Sequence, residues 1–282
     1  FLRFLELNKL KSFVKLIDAK GGLISMDEST KFNTQKYLNL HLKNEIVPIL
    51  VEKNIFKTIK STNNRNSWAY LGRVESFKTN PIIKFLESLE ILYVNNVLDK
   101  NFIFYVIGNG VDIEILKSFS KKISFKINFL GFVENKNLYK KINSLKISCI
   151  AAMGTSILDA MSCGCTVIKL NFFQKEFNSY PQYFFKANEY TYCLGEELFL
   201  NDFTNNFPLD LRDIYLNYEN NFNDIIKKQH YYMMTFYDDS NSLKKLETAI
   251  ENCDLRYFEI SNYFKRSILR KLYHKYRYNL FS

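Results

Sequence analysis

The sequence predicts an α/β fold with a parallel sheet, because apolar strand-like runs alternate with segments of helical periodicity along most of the chain. The runs are rich in β-branched and aromatic residues, and several of them end in glycine. The alternation loosens after residue 170, and residues 211–282 carry a helical pattern. We therefore predict βα units that form one sheet, followed by a helical C-terminal tail.

The first predicted unit is a βαβ portion, with strands at 22–26 and 45–51 around a helix at 30–40. Loops with one short strand at 190–194 are predicted within residues 171–210. The main sheet is predicted from strands at 68–71, 102–107, 124–130, 146–151 and 166–170, with helices at 81–94, 112–121 and 135–143 between them. Pro81 then lies in the first turn of its helix, where proline is permitted.

The amino-acid composition is that of an ordinary globular protein, and the net charge indicates which kinds of partner it can bind. Of the 282 residues, 47% are hydrophobic and 24% charged, and no apolar run reaches the length of a transmembrane helix. The five cysteines are odd in number and three lie in apolar runs, which indicates reduced thiols and a cytoplasmic protein. The net charge of +10 favours an anionic partner, either a phosphorylated small molecule, an acidic membrane surface or nucleic acid.

The turn that follows the strand at 146–151 has the features of an anion-binding site. Gly154 permits close approach of the backbone to a ligand, and Thr155 or Ser156 can cap the next helix, whose first N–H groups then point toward an anion. Asp159 lies a turn further along, where a carboxylate can accept the hydroxyl groups of a ribose or a sugar. The sequence thus predicts a site for a phosphorylated ligand.

Glycines also end the three preceding strands, and the ends of parallel strands share the carboxyl edge of a sheet, where ligands bind. Arg73 and Lys78 follow the first of these ends and are suited to hold a diphosphate, arginine by its bidentate fork and lysine as a point charge. The alternative interpretation is that both residues are ordinary surface cations in contact with solvent. The three strand ends read Leu71-Gly72-Arg73, Ile107-Gly108-Asn109-Gly110 and Leu130-Gly131-Phe132.

The order and spacing of four segments resemble the C-terminal domain of family 4 glycosyltransferases, the glycosyl transferases group 1 domain of the GT-B fold. The segments are LGR with Lys78 behind it, YVIGNG, INFLGFVEN and GTSILDAMSCGCTVI. GT-B proteins have two Rossmann-like domains that face a cleft. The resemblance implies that residues 1–60 are a remnant of the N-terminal, acceptor-side domain, residues 61–205 the Rossmann-like domain that binds the nucleotide sugar, and residues 206–282 a helical tail.

The resemblance also implies roles for the residues of the predicted site. Arg73 and Lys78 match the basic pair on the donor diphosphate, and residues 154–156 match the loop whose amides meet the phosphates or the sugar. Gly108 and Gly110 are expected near the base and the diphosphate, with a tight strand-to-helix turn as the equally simple explanation.

One acidic residue of the family's motif is missing. Asp159 matches the second glutamate of a pair separated by seven residues, which holds the ribose. The first glutamate, which contacts the donor sugar in the family, falls at Ala151. This absence puts sugar recognition and catalysis in question, and no catalytic residue is assigned.

The activity implied by the resemblance is transfer of a sugar from a UDP or GDP sugar to a hydroxyl group of a glycan or lipid-linked acceptor, in synthesis of cell-surface polysaccharide or glycolipid. The family retains the anomeric configuration and needs no obligate metal or further cofactor. A sugar-nucleotide epimerase is disfavoured because no set of acidic and histidine residues is evident. A catalytically impaired binding module remains open, whereas dispersed charge and missing motifs disfavour nucleic acid.

The end of the tail predicts a basic amphipathic helix over residues 260–280. Apolar residues recur there every four positions, with lysine and arginine residues between them. Such a helix either packs on a neighbouring domain or contacts an acidic membrane surface, here the inner face of the plasma membrane.

Overall fold

The computed structural model describes residues 7–49, 65–171, 183–184 and 211–264. They divide into two compact units. The smaller unit holds the described residues within 1–26, 30–47 and 244–282, and the larger unit holds those within 27–29 and 48–243. The predicted boundaries at residues 60 and 205 lie outside the described residues, so the division into three domains stays a prediction.

Helices and strands alternate through the described chain as the sequence predicts. In chain order the elements are α1 (Leu7–Ala19), β1 (Ile24–Ser25), α2 (Glu28–Leu38), β2 (Glu45–Ile46), β3 (Ser67–Leu71), α3 (Ser76–Val94), β4 (Ile103–Ile107), α4 (Ile113–Ser120), β5 (Lys126–Gly131), α5 (Asn135–Ser144), β6 (Cys149–Ala152), α6 (Ser156–Ser162), β7 (Thr166–Lys169), β8 (Tyr183–Phe184), α7 (Leu211–Phe236), α8 (Asp239–Glu251) and α9 (Tyr257–Phe264).

The larger unit is built on a sheet with the strand order β5-β4-β3-β6-β7-β8. Strands β3 to β7 are parallel to one another, which confirms the predicted α/β class, and β8 pairs antiparallel with β7. Strand β8 falls within residues 171–210, where the sequence predicted loops, while the strand predicted at 190–194 lies outside the described residues.

Helix α7 covers one face of this sheet through aromatic contacts. The ring of Trp68 on β3 lies 5.1 Å from that of Tyr218 and 5.9 Å from that of Tyr215 on α7, and all three side chains are buried. The hydroxyl of Tyr218 is hydrogen-bonded to that of Ser148, at 2.7 Å, just before β6. The start of the helical tail therefore belongs to the core of the larger unit.

Helix α3 begins earlier than the sequence predicted. The N–H groups of Lys78 and Thr79 both donate to the carbonyl of Glu75, at 2.7 and 2.9 Å, and close the first turn on that residue. Pro81 consequently lies inside the helix rather than in its first turn, and the prediction of a start at residue 81 is wrong.

The smaller unit has a two-stranded parallel sheet, β1 with β2, and its helices. The ring of Phe13 on α1 lies 5.1 Å from that of Tyr263 on α9, and Lys20 forms ion pairs with Glu259 at 3.2 Å and Asp254 at 3.6 Å. The strands are shorter than predicted, and α1 was not predicted at all. Most of the predicted basic helix at 260–280 lies outside the described residues.

Candidate functional site

The strand order defines a crevice at the carboxyl edge of the larger sheet. The chain runs outward from β3 through β4 to β5, returns to β6 on the other side of β3, and continues to β7. Loops that leave β3 and β6 therefore turn to opposite sides, and ligands of doubly wound folds bind at such a switch point. Leu71 and Ala152 pair at the ends of the two strands, so the loops that follow them start side by side.

The loop after β3 is fixed by hydrogen bonds to its neighbours. The N–H of Gly72 donates to the carbonyl of Ile107 at 3.0 Å, and the N–H of Val74 donates to the carbonyl of Asn109 at 3.1 Å. From below, the hydroxyl of the buried Tyr70 donates to the carbonyl of Arg73 at 2.9 Å. These three hydrogen bonds hold the backbone of Arg73 and of the residues on both sides of it.

Two glycines after β4 make this close packing of loops feasible. A β-carbon at Gly108 would overlap the carbonyl oxygen of Gly72, and one at Gly110 would overlap the carbonyl oxygen of Val74. Gly108 also has a φ of +143°, which residues with side chains rarely adopt. Both glycines therefore have a structural requirement of their own, and their predicted proximity to the base and diphosphate stays a prediction.

Arg73 and Lys78 are brought to the same end of the sheet. The side chain of Arg73 is 74% exposed and forms an ion pair of 2.9 Å with Glu75. Lys78 lies half-buried in the first turn of α3, with its ammonium group 5.5 Å from the centre of the Phe77 ring. Burial lowers the pKa of Lys78, the charge of Arg73 lowers it further, and Glu75 raises it. The single negative charge of Glu75 does not balance the two positive charges of Arg73 and Lys78, so an anion is favoured at this position.

The loop after β6 faces the loop after β3. The side-chain oxygen of Ser156 lies 3.6 Å from the position that a β-carbon of Gly72 would take. Gly154 has a φ of +63°, and the space beside it is open. Within the described part of the chain, the N–H groups of Gly154, Thr155 and Ser156 donate no hydrogen bond. They are free to bind an anion.

The predicted capping of α6 by a hydroxyl group is wrong. Thr155 takes the N-cap position, but its backbone is already in the helical region and its side chain makes no capping bond. A capping hydroxyl belongs to a residue whose backbone is extended, and the helical backbone of Thr155 does not meet this condition.

Asp159 lies on α6 behind this loop. Its side chain is partly buried, and burial raises the pKa of its carboxyl group above the ordinary value. Among the described residues no donor pairs with this carboxylate. A carboxylate that is partly desolvated and lacks a partner is available to hydroxyl groups of a ligand, as the predicted ribose role requires.

Ala151 lies inside β6, not in the loop. Its neighbours in the sheet are Tyr70 on β3 and Ile168 on β7, and its side chain is 2% exposed within the hydrophobic core. A glutamate at this position would lie in the core rather than in the crevice. The family's first glutamate therefore has no counterpart in the crevice at this position.

Sequence reasoning missed two residues of this site. Glu75 pairs with Arg73, and the hydroxyl of Tyr70 holds the loop. The available signals were a carboxylate two residues after the arginine and a tyrosine near the end of a buried strand.

Cysteine chemistry and metal binding are not supported by the described residues. Burial raises the pKa of the Cys149 and Cys163 thiols to about 12, so both are unreactive. Over the described ranges, no three acidic, histidine or cysteine side chains group closely enough to hold a metal.

The larger unit is an α/β domain with a parallel sheet and with basic and glycine-bearing loops at its switch point. This combination is typical of domains that bind nucleotides. Residues 65–177 match the family model described as Glycosyl transferases group 1. They contain β3 to β7 and every predicted site residue. This match confirms the predicted resemblance to the glycosyl transferases group 1 domain for this segment.

Solved structures with a similar fold are GT-B glycosyltransferases. A variant of TarM from S. aureus, in complex with fondaparinux, α-GlcNAc-glycerol and UDP, matches with a TM-score of 0.52 and 14% identity over 85% of this chain and 46% of its own. The lipopolysaccharide outer core galactosyltransferase WaaB, in its apo form, matches with a TM-score of 0.50 and 14% identity over 80% of this chain and 60% of its own. At these identities the likeness concerns the fold alone. The chain spans about half the length of these relatives, and no curated protein sequence matches it.

Proposed function

We propose that the crevice between β3 and β6 binds the diphosphate of a nucleotide sugar, and that the protein transfers the sugar to a hydroxyl acceptor. The observation that carries the proposal is the opposition of two loops at the switch point. One loop carries Arg73 and leads to Lys78. The other presents the N–H groups of residues 154–156, which donate to no acceptor among the described residues. The match of residues 65–177 to the Glycosyl transferases group 1 family model supports the same assignment.

The chemistry that these residues supply is stabilisation of the leaving group. When the glycosidic bond to the donor breaks, negative charge develops on the diphosphate, and fixed cations and N–H groups lower the free energy of that state. Arg73 offers a bidentate fork and Lys78 a point charge, while Asp159 accepts the ribose hydroxyls. We expect retention of configuration and no obligate metal or further cofactor, as in the family that the sequence resembles.

The donor and acceptor are proposed by class. UDP is the first probe because the TarM variant was solved with UDP, and GDP remains the alternative. We propose a glycan or lipid-linked acceptor in cell-surface polysaccharide or glycolipid synthesis on the cytoplasmic side, with the basic tail on the inner face of the plasma membrane. No helix in the described ranges combines the length and apolarity needed to cross a membrane.

A second function is favoured by Ala151. Since the family's sugar-contacting acid has no counterpart at this buried position, a module that binds a nucleotide without turning over its sugar fits the same site. The two functions differ in one measurement. A transferase releases UDP or GDP from the matching nucleotide sugar in the presence of acceptor extracts, whereas a binding module yields none above the level of an Arg73→Ala variant.

Titration with UDP, GDP and ADP by thermal shift and calorimetry tests the binding proposal. We expect one of the first two to bind with a dissociation constant between about 1 μM and 1 mM, the usual range for enzyme substrates. The control is Lys126→Ala, which removes an exposed cation at the opposite, amino end of the sheet and should leave the affinity unchanged. Absence of binding by all three nucleotides would refute the proposed donor site.

A further inference from the structure

Arg73 has an anionic partner within its own loop. Its guanidinium group lies 2.9 Å from a carboxylate oxygen of Glu75, and the two side chains are 74% and 28% exposed. Both residues belong to the same short loop between β3 and α3. The carboxylate therefore lies where the proposed diphosphate needs the guanidinium.

The backbone of this loop leaves only the side chains free to move. Val74, between the two residues, is buried, and its N–H and carbonyl groups bond to the carbonyl of Asn109 and the N–H of Asp112, at 3.1 and 3.2 Å. The carbonyl of Glu75 in turn accepts the first N–H groups of α3. A diphosphate that binds the Nη1 side of the Arg73 guanidinium must therefore displace the Glu75 carboxylate, and only side-chain movement is needed for this exchange.

We propose that Glu75 is a stand-in anion that occupies Arg73 until a diphosphate displaces it, and that it thereby speeds release of the nucleoside diphosphate product. The inference rests on the proposed function and adds a residue that sets the affinity of the donor site. The exchange affects only ligands that use Arg73. A nucleoside without phosphates should bind equally well whether or not Glu75 is charged.

Glu75 also acts on the second cation of the site. Its charge partly offsets the effects of burial and of Arg73 on Lys78. Without this carboxylate, its negative charge no longer offsets the positive charges of Arg73 and Lys78, and an incoming diphosphate gains more from both cations. Both effects have the same sign, toward tighter binding when Glu75 is neutral.

The variant that isolates this role is Glu75→Gln. The side chain of Glu75 makes no capping bond at the start of α3, so glutamine should preserve the helix. Its matched control is Glu134→Gln, at the same sheet edge on the loop after β5, where Glu134 forms a similar ion pair of 2.9 Å with Lys136. Both variants raise the net charge by one, and only the first one releases Arg73.

Calorimetry with pyrophosphate, UDP and uridine, and stopped-flow displacement of UDP, test the proposal. We expect Glu75→Gln to bind pyrophosphate and UDP about threefold more tightly, the size of an exposed ion pair, with slower UDP release and unchanged uridine binding. Glu134→Gln should match the wild type. In an Arg73→Gln background, Glu75→Gln should have a much smaller effect.

The outcomes separate this inference from the proposed function. If the wild type binds UDP and Arg73→Gln weakens it, but Glu75→Gln binds no more tightly than Glu134→Gln, Glu75 is not a stand-in anion and the donor site stands. Equal tightening by both glutamate variants would show a general charge effect and also overturn the inference. If neither the wild type nor Glu75→Gln binds pyrophosphate or UDP, both proposals are wrong.

Discussion

The side-chain amide of Gln229 is hydrogen-bonded to both main-chain groups of Val167, accepting from its N–H at 3.1 Å and donating to its carbonyl at 3.1 Å. Val167 lies on β7, where the described residues of β8 pair with Ile168 and Lys169 and not with Val167. Gln229, on α7, thus completes the strand edge that β8 leaves open, in a position where both residues are buried.

Replacing Gln229 with alanine should lower the free energy of unfolding by about 2 kcal/mol, because two buried main-chain groups lose their partner. Urea unfolding followed by circular dichroism measures the change. Lys227→Ala, an exposed position on the same helix, serves as the control. Equal unfolding midpoints for the two variants would contradict the role of Gln229.

Gly108→Ala and Gly154→Ala should differ sharply. The first should cost about 3 kcal/mol or more, because the methyl group overlaps the carbonyl of Gly72 and the backbone conformation is unfavourable. The second meets open space, so only the left-handed backbone costs energy, about 1 to 2 kcal/mol. Thermal unfolding gives the order, and a Gly154→Ala variant at least as unstable as Gly108→Ala would contradict the loop packing.

Asp159→Asn should stabilise the protein at neutral pH and weaken nucleotide binding. Burial raises the pKa of the folded-state carboxyl above 3.8, so between that value and the raised pKa the folded protein holds more protons than the unfolded chain. Stability therefore falls as the pH rises through this interval. The advantage of the asparagine variant should vanish below pH 3.8 in melting experiments. A variant less stable than the wild type at neutral pH would show that a donor pairs with the carboxylate.

Diphosphate affinity should decline at high pH through Lys78. Burial, reinforced by Arg73, lowers the pKa of this lysine below 10.5, and a bound anion raises it again. Binding is then supported below the lowered pKa and lost as the pH rises through it. Lys78→Met should bind more weakly and lack this decline, which calorimetry at several pH values detects. Parallel pH profiles of the two proteins would exclude Lys78 from the site.

The sequence predicted the parts of the fold that depend on local pattern. Alternating periodicity gave β3 to β7 and their helices, and glycines at strand ends indicated the edge that forms the crevice. It did not predict the start of α3, because Pro81 suggested a boundary while the bonds of Glu75 to Lys78 and Thr79 determine it. Motif spacing alone mapped a missing acid onto Ala151 without indicating that the position is buried.

The contacts between loops could not be predicted from the sequence, because they depend on how the strands pair. That Gly108 lies against Gly72, and that Tyr70 holds the carbonyl of Arg73, depends on the pairing of β3 with β4 and on strand lengths. The partner of Arg73 was equally hidden, because a carboxylate two residues away on a loop pairs only when the backbone turns it inward.

Calorimetry with UDP and with uridine, on the Arg73→Ala variant and on the wild type, tests the donor site most directly. Arg73 is proposed to contact the diphosphate alone, so the variant should bind UDP at least about tenfold more weakly, the loss of a charge-assisted hydrogen bond. Its affinity for uridine should remain that of the wild type. Equal weakening of both ligands, or no weakening of UDP, would contradict the assignment of the crevice between β3 and β6 as a diphosphate site.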